Sequence, residues 1–433
     1  MMRLFYSLAL TLGLAAASPV LAARLARGRY RRIVLARLGL GSAWLPPEPR
    51  RPGLIWVHAL SVGEVGSALP LLRAFKQRFP ARPLAFSVAT AQGLAVAGEF
   101  LAKDPEITLF VRPLDLFWAT RRLLDRLKPA LFCLVEGDIW PNWQWSLAER
   151  GIPRLLVNGR VSPRTLKGYL RLGPLARQML AGFDRILVQT SVDHQRLLRV
   201  GVEAKRLAVG GNLKFDSAPA ELGDSQRRAL AAELGLAGRT VLVAGSTHPG
   251  EEEPCLGAFA ALRPKYPGLA LLLAPREVSR GRAVARMAEE MGLKAARVSQ
   301  GAPSSDADVV VLDVLGRLAQ AYALATSALV GGSLVPVGGH NLLEPAAQGV
   351  PMLFGPHTHN FLEMARDLEA VGGGLRLKDG SELPAAWDDL LSDHKRARLM
   401  GRAALAFCRA HRGAVARALS EAAALLGETR GRG

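Results

Sequence analysis

The stretch LIWVHALSVGEVGSALPLL, residues 54–72, joins a short apolar run to a longer apolar segment with a helix-like pattern. From about residue 53 onward, apolar runs of strand length alternate with helix-like segments in the same way. Such alternation is typical of βαβ units, in which parallel strands are connected by helices. The stretch therefore predicts an α/β fold with parallel sheets, and it places SVGE directly after the first strand.

Glu64 in this stretch has two interpretations. Ser61 and Glu64 have the spacing of a capping box, in which a glutamate binds the backbone amide of the residue that begins the helix. Gly63 and Gly66, however, weaken the first helical turn and allow another molecule to approach the backbone. The sequence leaves open whether Glu64 closes a helix end, takes a proton from a substrate, or does both.

The length of 433 residues favours two domains, because one hydrophobic core rarely grows so large. We expect an N-terminal anchor with a basic flank at 1–32, a Rossmann-like domain at 50–212, a linker at 213–239, a second Rossmann-like domain at 240–395, and a C-terminal helix and tail at 396–433, the helix covering roughly 395–426. The predicted strands are 54–59, 84–90, 107–113, 130–136, 153–159, 185–190, 207–209, 240–246, 269–275, 309–313, 328–333 and 351–356.

The formal net charge of +19 predicts a polyanionic partner. The arginines are spread along the chain, without the aromatic-interleaved modules or zinc spacings of nucleic-acid readers. We therefore expect an anionic membrane surface or a phosphorylated substrate as the partner, and no nucleic acid.

Residues 4–23 carry no charge, and twenty helical residues at ~1.5 Å each match the bilayer hydrocarbon thickness of about 30 Å. A cleaved signal peptide is the alternative, since VLA-A resembles a cleavage site. Only Arg3 precedes the segment, whereas six arginines follow it, which favours a membrane anchor with the rest of the chain in the cytoplasm. Whether the segment spans the bilayer or lies in its interface stays open. The six arginines are Arg24, Arg27, Arg29, Arg31, Arg32 and Arg37.

Ligands of open α/β sheets bind beyond the carboxyl ends of the strands, and motif residues follow the predicted strands at these places. With two such domains, we expect the active site in the cleft between them. The motifs are SVGE, EGDIWPNW and NGRVSPRT in the first domain, and GSTHPGEEE, APRE and GGSLVPVGGHNLLEPAAQG in the second.

The second domain contains the best candidate for a phosphate site. A helix is predicted to begin near Leu342, so the backbone amides before it and its dipole can hold an anion. A second helix start follows Ser246 and Thr247, which are possible hydroxyl donors, and Glu251 to Glu253 are interpreted as its solvated first turn. His248 is interpreted as a loop residue. The residues before the first of these helices are Gly338, Gly339, His340 and Asn341.

Six motifs in this order resemble the 3-deoxy-D-manno-oct-2-ulosonic acid (Kdo) transferases of lipopolysaccharide assembly. They are HALSVGEV, EGDIWPNW, NGRVSPRT, AGSTHPGEEE, APR and GGHNLLEPAAQGVPMLFGPHTHNF, and the resemblance covers nearly the whole chain. It implies a GT-B fold and inverting transfer of Kdo from CMP-Kdo to a lipid A precursor, lipid IVA. It also implies action at the cytoplasmic face of the inner membrane, with no cofactor and no metal.

The resemblance also implies roles for individual residues. Glu64 corresponds to the general base of the family, and Glu136 and Asp138 correspond to carboxylates that face the cleft. Glu136 is the second catalytic candidate, because a carboxylate near the base can orient the acceptor or keep the pKa of the base raised. Arg276 corresponds to a residue near the CMP phosphate, and Glu344 to one at the ribose hydroxyls.

Other strand-end residues are assigned with alternatives. The candidates for binding the acceptor or Kdo are Ser61, Gly63, Asp138, Arg160 and Arg164, although the two arginines are also explained as solvated loop charges. Glu136 has the alternative role of binding a neighbouring loop, and a carboxylate at Glu344 has that of capping its helix.

Three departures from the family pattern concern donor specificity more than the base. They are Gly137 in the tryptophan motif, Glu277 after APR, and Val314 to Arg317 in a segment that usually reads D-T-M-G-E-L after glycine. Another GT-B enzyme with a different nucleotide sugar, and a secreted two-lobed binding protein, remain the alternative functions.

Overall fold

The computed structural model describes residues 2–19, 31–40 and 44–428. Arg24, Arg27 and Arg29 of the predicted basic flank lie outside the described residues, as do residues 20–23 of the apolar segment and 429–433 of the tail. The chain divides into two compact units. Unit 1 comprises Met1–Ser217 and Arg412–Gly433, and unit 2 comprises Ala218–His411.

Strands and helices alternate along most of the chain. The strands are β1 Ile55–Ala59, β2 Leu84–Val88, β3 Thr108–Val111, β4 Leu131–Val135, β5 Arg154–Gly159, β6 Arg185–Val188, β7 Leu207–Val209, β8 Thr240–Thr247, β9 Leu269–Pro275, β10 Ala295–Arg297, β11 Val309–Val311, β12 Ser327–Val330, β13 Met352–Phe354 and β14 Gly374–Arg376. The α-helices are α1 Met2–Ala16, α2 Arg31–Arg37, α3 Val62–Arg78, α4 Ala91–Leu101, α5 Phe117–Leu127, α6 Pro141–Glu149, α7 Pro163–Leu172, α8 Pro174–Ala181, α9 Ser191–Val200, α10 Leu213–Asp216, α11 Asp224–Glu233, α12 Glu252–Leu262, α13 Gly281–Glu290, α14 Leu318–Ala321, α15 Leu343–Ala347, α16 Leu362–Ala370, α17 Leu383–Ser392, α18 His394–His411 and α19 Ala414–Leu425.

Each unit is built on one parallel sheet of seven strands. The order is β3-β2-β1-β4-β5-β6-β7 in unit 1 and β10-β11-β9-β8-β12-β13-β14 in unit 2. The chain winds outward in one direction and then returns to the other side of the first strand. The order reverses between β1 and β4 in unit 1 and between β8 and β12 in unit 2. In doubly wound sheets, this switch point is where a ligand crevice opens.

The central strands are buried on both faces, which explains their continuous apolar sequences. Every residue of β1, β2 and β4 is buried. Trp56 of β1 is fully buried, and its ring lies 4.8 Å from that of Phe132 and 4.5 Å from that of Trp143. The tryptophan of the EGDIWPNW motif at position 143 is therefore a core residue.

All twelve predicted strands are present, with ends that shift by up to three residues. The strands β10 and β14 were not predicted, because AAR and GLR at the sheet edges are partly exposed and form no apolar run. The single helix expected over 395–426 is two helices. Gly413 between them has a left-handed φ of 97°, which ends α18 and allows the chain to change direction.

The segment predicted as a linker at 213–239 is largely part of the two units. Helix α10 belongs to unit 1, whereas Leu230 of α11 and Leu234 directly after it are buried in the core of unit 2. The C-terminal helix α19 belongs to unit 1, where Arg185 binds Glu421 at 2.7 Å. Its alanines at four-residue spacing leave room for close packing on unit 1.

The N-terminal helix α1 packs against α6 through polar contacts. The Nη2 of Arg3 donates to Ser146 Oγ at 3.0 Å, and Ser7 Oγ donates to Asn142 Oδ1 at 3.2 Å. Five large apolar side chains of α1 are exposed: Met2, Leu4, Phe5, Leu8 and Leu12, of which the last four are more than half exposed. Across the described ranges, no helix has both the length and the apolar content required to cross a bilayer.

Candidate active site

The acidic residues of unit 1 lie at its topological switch point. Strands β1 and β4 are neighbours, with His58 opposite Leu134. Glu64 is in the first turn of α3, which follows β1, whereas Glu136 and Asp138 follow β4. Residues that are 72 or more positions apart in sequence are therefore placed at one edge of one sheet, because parallel strands end on the same side.

Glu64 does bind back to the chain, but not as the capping box predicts. Its Oε2 accepts a hydrogen bond from the Leu60 amide at 2.6 Å, and Ser61 makes no side-chain capping bond. The Glu64 side chain is buried. A Cβ added at Gly63 or Gly66 would meet nothing within 4 Å, so the space beside this turn is open.

The environment of Glu64 favours its protonated form. Burial raises the pKa of Glu64 to about 7, the hydrogen bond from Leu60 opposes this shift, and the nearby charges of Glu136 and Asp138 add to it. A carboxyl group with a pKa near 7 is well matched to general base catalysis at neutral pH.

Asp138 is held by a buried polar network. Its Oδ2 accepts from His58 Nε2 at 3.0 Å and from Arg112 Nη2 at 2.7 Å, and its Oδ1 accepts from the Trp140 indole. Burial opposes ionisation of Asp138, but the His58 hydrogen bond and the Arg112 charge lower its pKa to about 2. Asp138 is thus held in its ionised form by buried partners, and its charge acts on the pKa of Glu64.

The sequence interpretation missed His58 and Arg112. Both side chains are almost fully buried, at 1% and 2% exposure. His58 Nδ1 also contacts the Ser87 hydroxyl at 2.8 Å. Asp138, His58 and Ser87 are therefore connected in the order acid, histidine, serine that occurs in the catalytic triads of hydrolases. Ser87 is fully buried and its Oγ accepts from Trp56 Nε1 at 2.8 Å, so this serine fixes the histidine and is not exposed for attack. The sequence signal that could have indicated His58 is its position near the end of β1, directly before the SVGE motif.

Glu136 occupies a strained backbone position at the end of β4. Its φ is 69°, and Asn158 in the next strand has a φ of 58°. Non-glycine residues in this region are often found at functional sites. Asn158 Nδ2 donates to Glu136 Oε1 at 3.1 Å, while its Oδ1 accepts from the Leu213 amide at 3.0 Å. Glu136 therefore binds the end of the neighbouring strand β5, and its alternative role of binding a loop stays a prediction.

Basic residues surround Glu136. Burial raises its pKa, and the charges of Lys214 and Arg160 oppose that shift. Arg160 is exposed directly after β5, and Arg164 is exposed in the first turn of α7. Lys214, in the GGNLKFD segment, was not among the predicted site residues, although it follows a strand as the others do.

In unit 2, the acidic run after β8 is not solvated as predicted. Glu251 is fully buried, and its carboxylate accepts from the amides of His248, Gly332, Ser333 and Leu334 at 2.6–3.0 Å. A buried carboxylate with several amide donors is well satisfied. Glu252 is also buried and pairs with Arg280, while Glu253 is exposed. Glu251 thus links the loops after β8 and β12.

The glycine loop after β12 differs from the predicted phosphate site. The amides of Gly338 and Gly339 both donate to the Gly332 carbonyl, at 3.0 and 2.7 Å. The helix that follows, α15, has only five residues and so contributes a weak dipole. Thr247 is buried, and its hydroxyl donates to Glu252 at 3.1 Å. The amides of Gly338 and Gly339 and the Thr247 hydroxyl are thus engaged within the loops, and anion binding at this helix start stays a prediction.

The remaining predicted donor residues of unit 2 do come together. Arg276 follows β9, is exposed, and its amide donates to the Thr247 carbonyl at 2.9 Å. Its charge acts on the pKa of both His340 and Glu344. Asn341 Nδ2 donates to Glu344 Oε1 at 3.3 Å, and Ser246 has a left-handed φ of 56° at the end of β8.

Paired parallel α/β units with polar residues at both switch points are typical of enzymes that act on nucleotide sugars, and among these of GT-B glycosyltransferases. The sequence model of a family described as "3-Deoxy-D-manno-octulosonic-acid transferase (kdotransferase)" matches residues 33–217. A 3-deoxy-D-manno-octulosonic acid transferase from Bordetella pertussis is 37% identical over 404 residues, which are 92% of each chain. One from Haemophilus influenzae is 33% identical over 90% of this chain and 91% of its own.

The chain belongs to the 3-deoxy-D-manno-octulosonic acid transferase family, and it is thus a glycosyltransferase. A UDP-GlcNAc 2-epimerase from Neisseria meningitidis has a similar fold, with a TM-score of 0.54, 12% identity, and coverage of 87% of this chain and 100% of its own. The predicted fold is confirmed as two parallel α/β domains that resemble those of GT-B enzymes, whereas the N-terminal anchor stays a prediction.

Proposed function

We propose that the enzyme transfers Kdo from CMP-Kdo to a phosphorylated lipid A precursor, with Glu64 as the general base. The observation that carries this proposal is a buried carboxylate with a pKa of about 7 at the switch point of unit 1, beside the open space over Gly63 and Gly66. Inverting transfer needs one base that accepts the proton of the attacking hydroxyl, and it needs no covalent nucleophile.

Within unit 1, the neighbours of Glu64 have different tasks in this proposal. Asp138 stays ionised and keeps negative charge near Glu64, which sustains its proton affinity. Glu136, Lys214 and Arg160 present charge of both signs at the next strand ends. Arginine and lysine there suit a phosphate or carboxylate of the acceptor or of Kdo, and Ser61 lies at the same turn as Glu64.

Unit 2 is proposed to hold the CMP part of the donor. Arg276 is exposed, and its guanidinium forms no ion pair within the parts of the chain that the structure covers. A free guanidinium is suited to a phosphate because it offers a planar fork of donors. Glu344, partly buried in α15, is proposed to accept from the ribose hydroxyls. Because Arg276 supplies positive charge, we propose that transfer proceeds without a resident metal ion and continues in the presence of a chelator.

We further propose that the enzyme works on the cytoplasmic surface of the inner membrane, in contact with α1. Leu4, Phe5, Leu8 and Leu12 are 58–76% exposed and recur at helical spacing, so they form an apolar face. A contiguous exposed apolar face marks an interaction site, and the net charge of +19 favours an anionic lipid surface.

The direct test incubates the purified chain with a tetraacylated, bis-phosphorylated acceptor and CMP-Kdo, and then measures the acceptor mass. We expect the mass to rise by whole Kdo units only when CMP-Kdo is the donor. Parallel incubations with UDP-sugars serve as the donor control. Consumption of a UDP-sugar with CMP-Kdo left intact would overturn the donor assignment. Hydrolysis of CMP-Kdo without a change in the acceptor mass would overturn the acceptor assignment.

A further inference from the structure

Two histidines face one another across the switch point of unit 2. His248 follows β8, and His340 lies in the loop after β12, the two strands between which the order reverses. Their Nε2 atoms are 2.8 Å apart, the ring planes differ by 3°, and the ring centroids are 5.0 Å apart. This centroid distance is close to the nitrogen separation plus two ring radii. The rings therefore lie head to head in one plane, in line for an N–H···N hydrogen bond.

This geometry limits the protons that the pair can hold. One Nε2 must carry a hydrogen and the other must offer its lone pair, so a single proton lies between the rings. The pair is then neutral, or it carries one positive charge when the Nδ1 atoms hold two protons in total instead of one. Two imidazolium rings cannot keep the contact, because both Nε2 atoms would be donors.

The surroundings keep this pair neutral in the free enzyme. Burial, His248 and the Arg276 charge lower the pKa of His340 to about 4. The Glu251 carboxylate, which accepts the His248 amide, is already engaged by amides of the β12 loop. Burial is the largest of these causes, and an anion that binds Arg276 offsets the last of them while adding a negative charge that favours protonation. The charged and titratable side chains around the pair are Arg276, Glu251, Glu344, His359 and the Glu252–Arg280 ion pair.

We propose that His248 and His340 act as a proton-binding pair for the donor phosphate, taking up one proton when CMP or CMP-Kdo binds and presenting it to the phosphate that leaves. This inference rests on the proposed function of unit 2 and adds an acid to it. The motifs that contain His248 and His340 do not by themselves indicate a proton-binding role. The two histidines are 92 residues apart in the sequence, and only the fold brings them into contact.

The step balances in protons and electrons. The acceptor oxygen forms a bond to the anomeric carbon, and its proton passes to Glu64. The bond between that carbon and the phosphate oxygen breaks, and its electron pair stays on the phosphate. The additional negative charge on the phosphate is met by the imidazolium proton, which the pair donates in a hydrogen bond to the leaving oxygen or transfers to it.

The test measures proton uptake when CMP binds to the full-length enzyme. Calorimetric titrations at pH 7 in buffers of different ionisation enthalpy give the number of protons taken up per CMP. We expect about 0.5–1 proton for the native enzyme, and none for His340→Gln or His248→Gln. His394→Gln is the matched control, because His394 is exposed at the start of α18, and it should behave as the native enzyme does.

The outcomes separate the two proposals. CMP binding to the native enzyme without proton uptake would overturn the histidine pair and leave the donor assignment standing. The absence of CMP binding would overturn both. Uptake that persists unchanged in His340→Gln would assign the proton to another group and contradict the pair.

A second measurement does not depend on a variant folding. In the native enzyme with ¹⁵N-labelled histidine, CMP should convert one pair of imidazole signals toward the protonated form. Histidine signals that ignore CMP at saturation would contradict the proposal. With CMP-Kdo, His340→Gln should lower kcat about tenfold or more and raise KM much less, since the proton is needed mainly as charge develops.

Discussion

The Oε2 atom of Glu64 accepts the amide hydrogen of Leu60 at 2.6 Å, so the residue that we propose as the general base also closes the start of α3. A carboxylate has several lone pairs, and this bond leaves capacity to accept a proton. Capping and catalysis are therefore compatible here. The bond orients the carboxylate, while burial and two neighbouring acidic residues raise its pKa to about 7.

The raised pKa of Glu64 predicts a pH-dependent cost to stability. The folded pKa lies above the usual value of 4.5, so the folded state binds more protons than the unfolded state between about pH 4.5 and 7. Stability is thus lost as the pH rises through this range, by about 1–3 kcal/mol. Glu64→Gln should remove this loss, so its free energy of unfolding should exceed that of the native protein most at pH 8.

Urea unfolding at pH 5 and pH 8 measures this effect in native, Glu64→Gln and Glu99→Gln proteins. Glu99 is exposed on α4 and serves as the control. If Glu64→Gln changes the free energy of unfolding equally at both pH values, the carboxyl group has an ordinary pKa and the account of its environment is wrong.

Asp138 supports a second prediction. Asp138→Asn removes the charge that compensates buried Arg112, so we expect a loss of about 3–5 kcal/mol of stability. Asp125→Asn, which removes an exposed partner of Arg150, should cost less than about 1 kcal/mol. Thermal and urea unfolding check both values. Equal effects of the two substitutions would show that Asp138 is not a buried anchor.

Arg276 gives a prediction about donor affinity. Arg276→Ala should weaken CMP binding by about tenfold or more, because a charge-assisted hydrogen bond to the phosphate contributes about 1.5–3 kcal/mol. Arg282→Ala, at an exposed position on nearby α13, should leave the affinity unchanged. Calorimetric dissociation constants for CMP make the comparison. An unaltered affinity of Arg276→Ala for CMP would show that Arg276 does not bind the donor phosphate.

The exposed face of α1 predicts lipid binding. Replacing Leu4, Phe5 and Leu8 together by serine should release the enzyme from vesicles that contain anionic lipid, while soluble turnover with a detergent-dispersed acceptor is retained. Vesicle flotation measures the bound fraction. A triple substitution at exposed Leu170, Leu172 and Leu399 is the control for general loss of apolar surface. If the α1 variant floats with the vesicles as much as the native enzyme does, the apolar face of α1 does not contribute to membrane binding.

The sequence predicts the fold well because buried parallel strands appear as continuous apolar runs, as in LFCLV of β4. It also predicts which residues end near one another, since strand ends share a sheet edge. It does not predict partners across the edge. Arg112 ends an ordinary strand in the sequence, and only the sheet order brings it to Asp138.

The glycine loop after β12 also shows that the sequence does not predict hydrogen-bond partners. Gly338 and Gly339 suggest free amides, but both bind the Gly332 carbonyl, and the acidic run that suggested a solvated turn contains the fully buried Glu251. Hydrogen-bond partners depend on the path of the loop after β12, which no local pattern determines. The His248–His340 contact is invisible in the sequence for that reason.

The most direct test of the central claim compares transfer and donor binding in Glu64→Gln. We expect this variant to bind CMP with the native affinity and proton uptake, yet to transfer Kdo to the lipid A precursor about 10²–10⁴-fold more slowly. Transfer at a rate within about threefold of the native enzyme would contradict a base role for Glu64, whatever the other residues do.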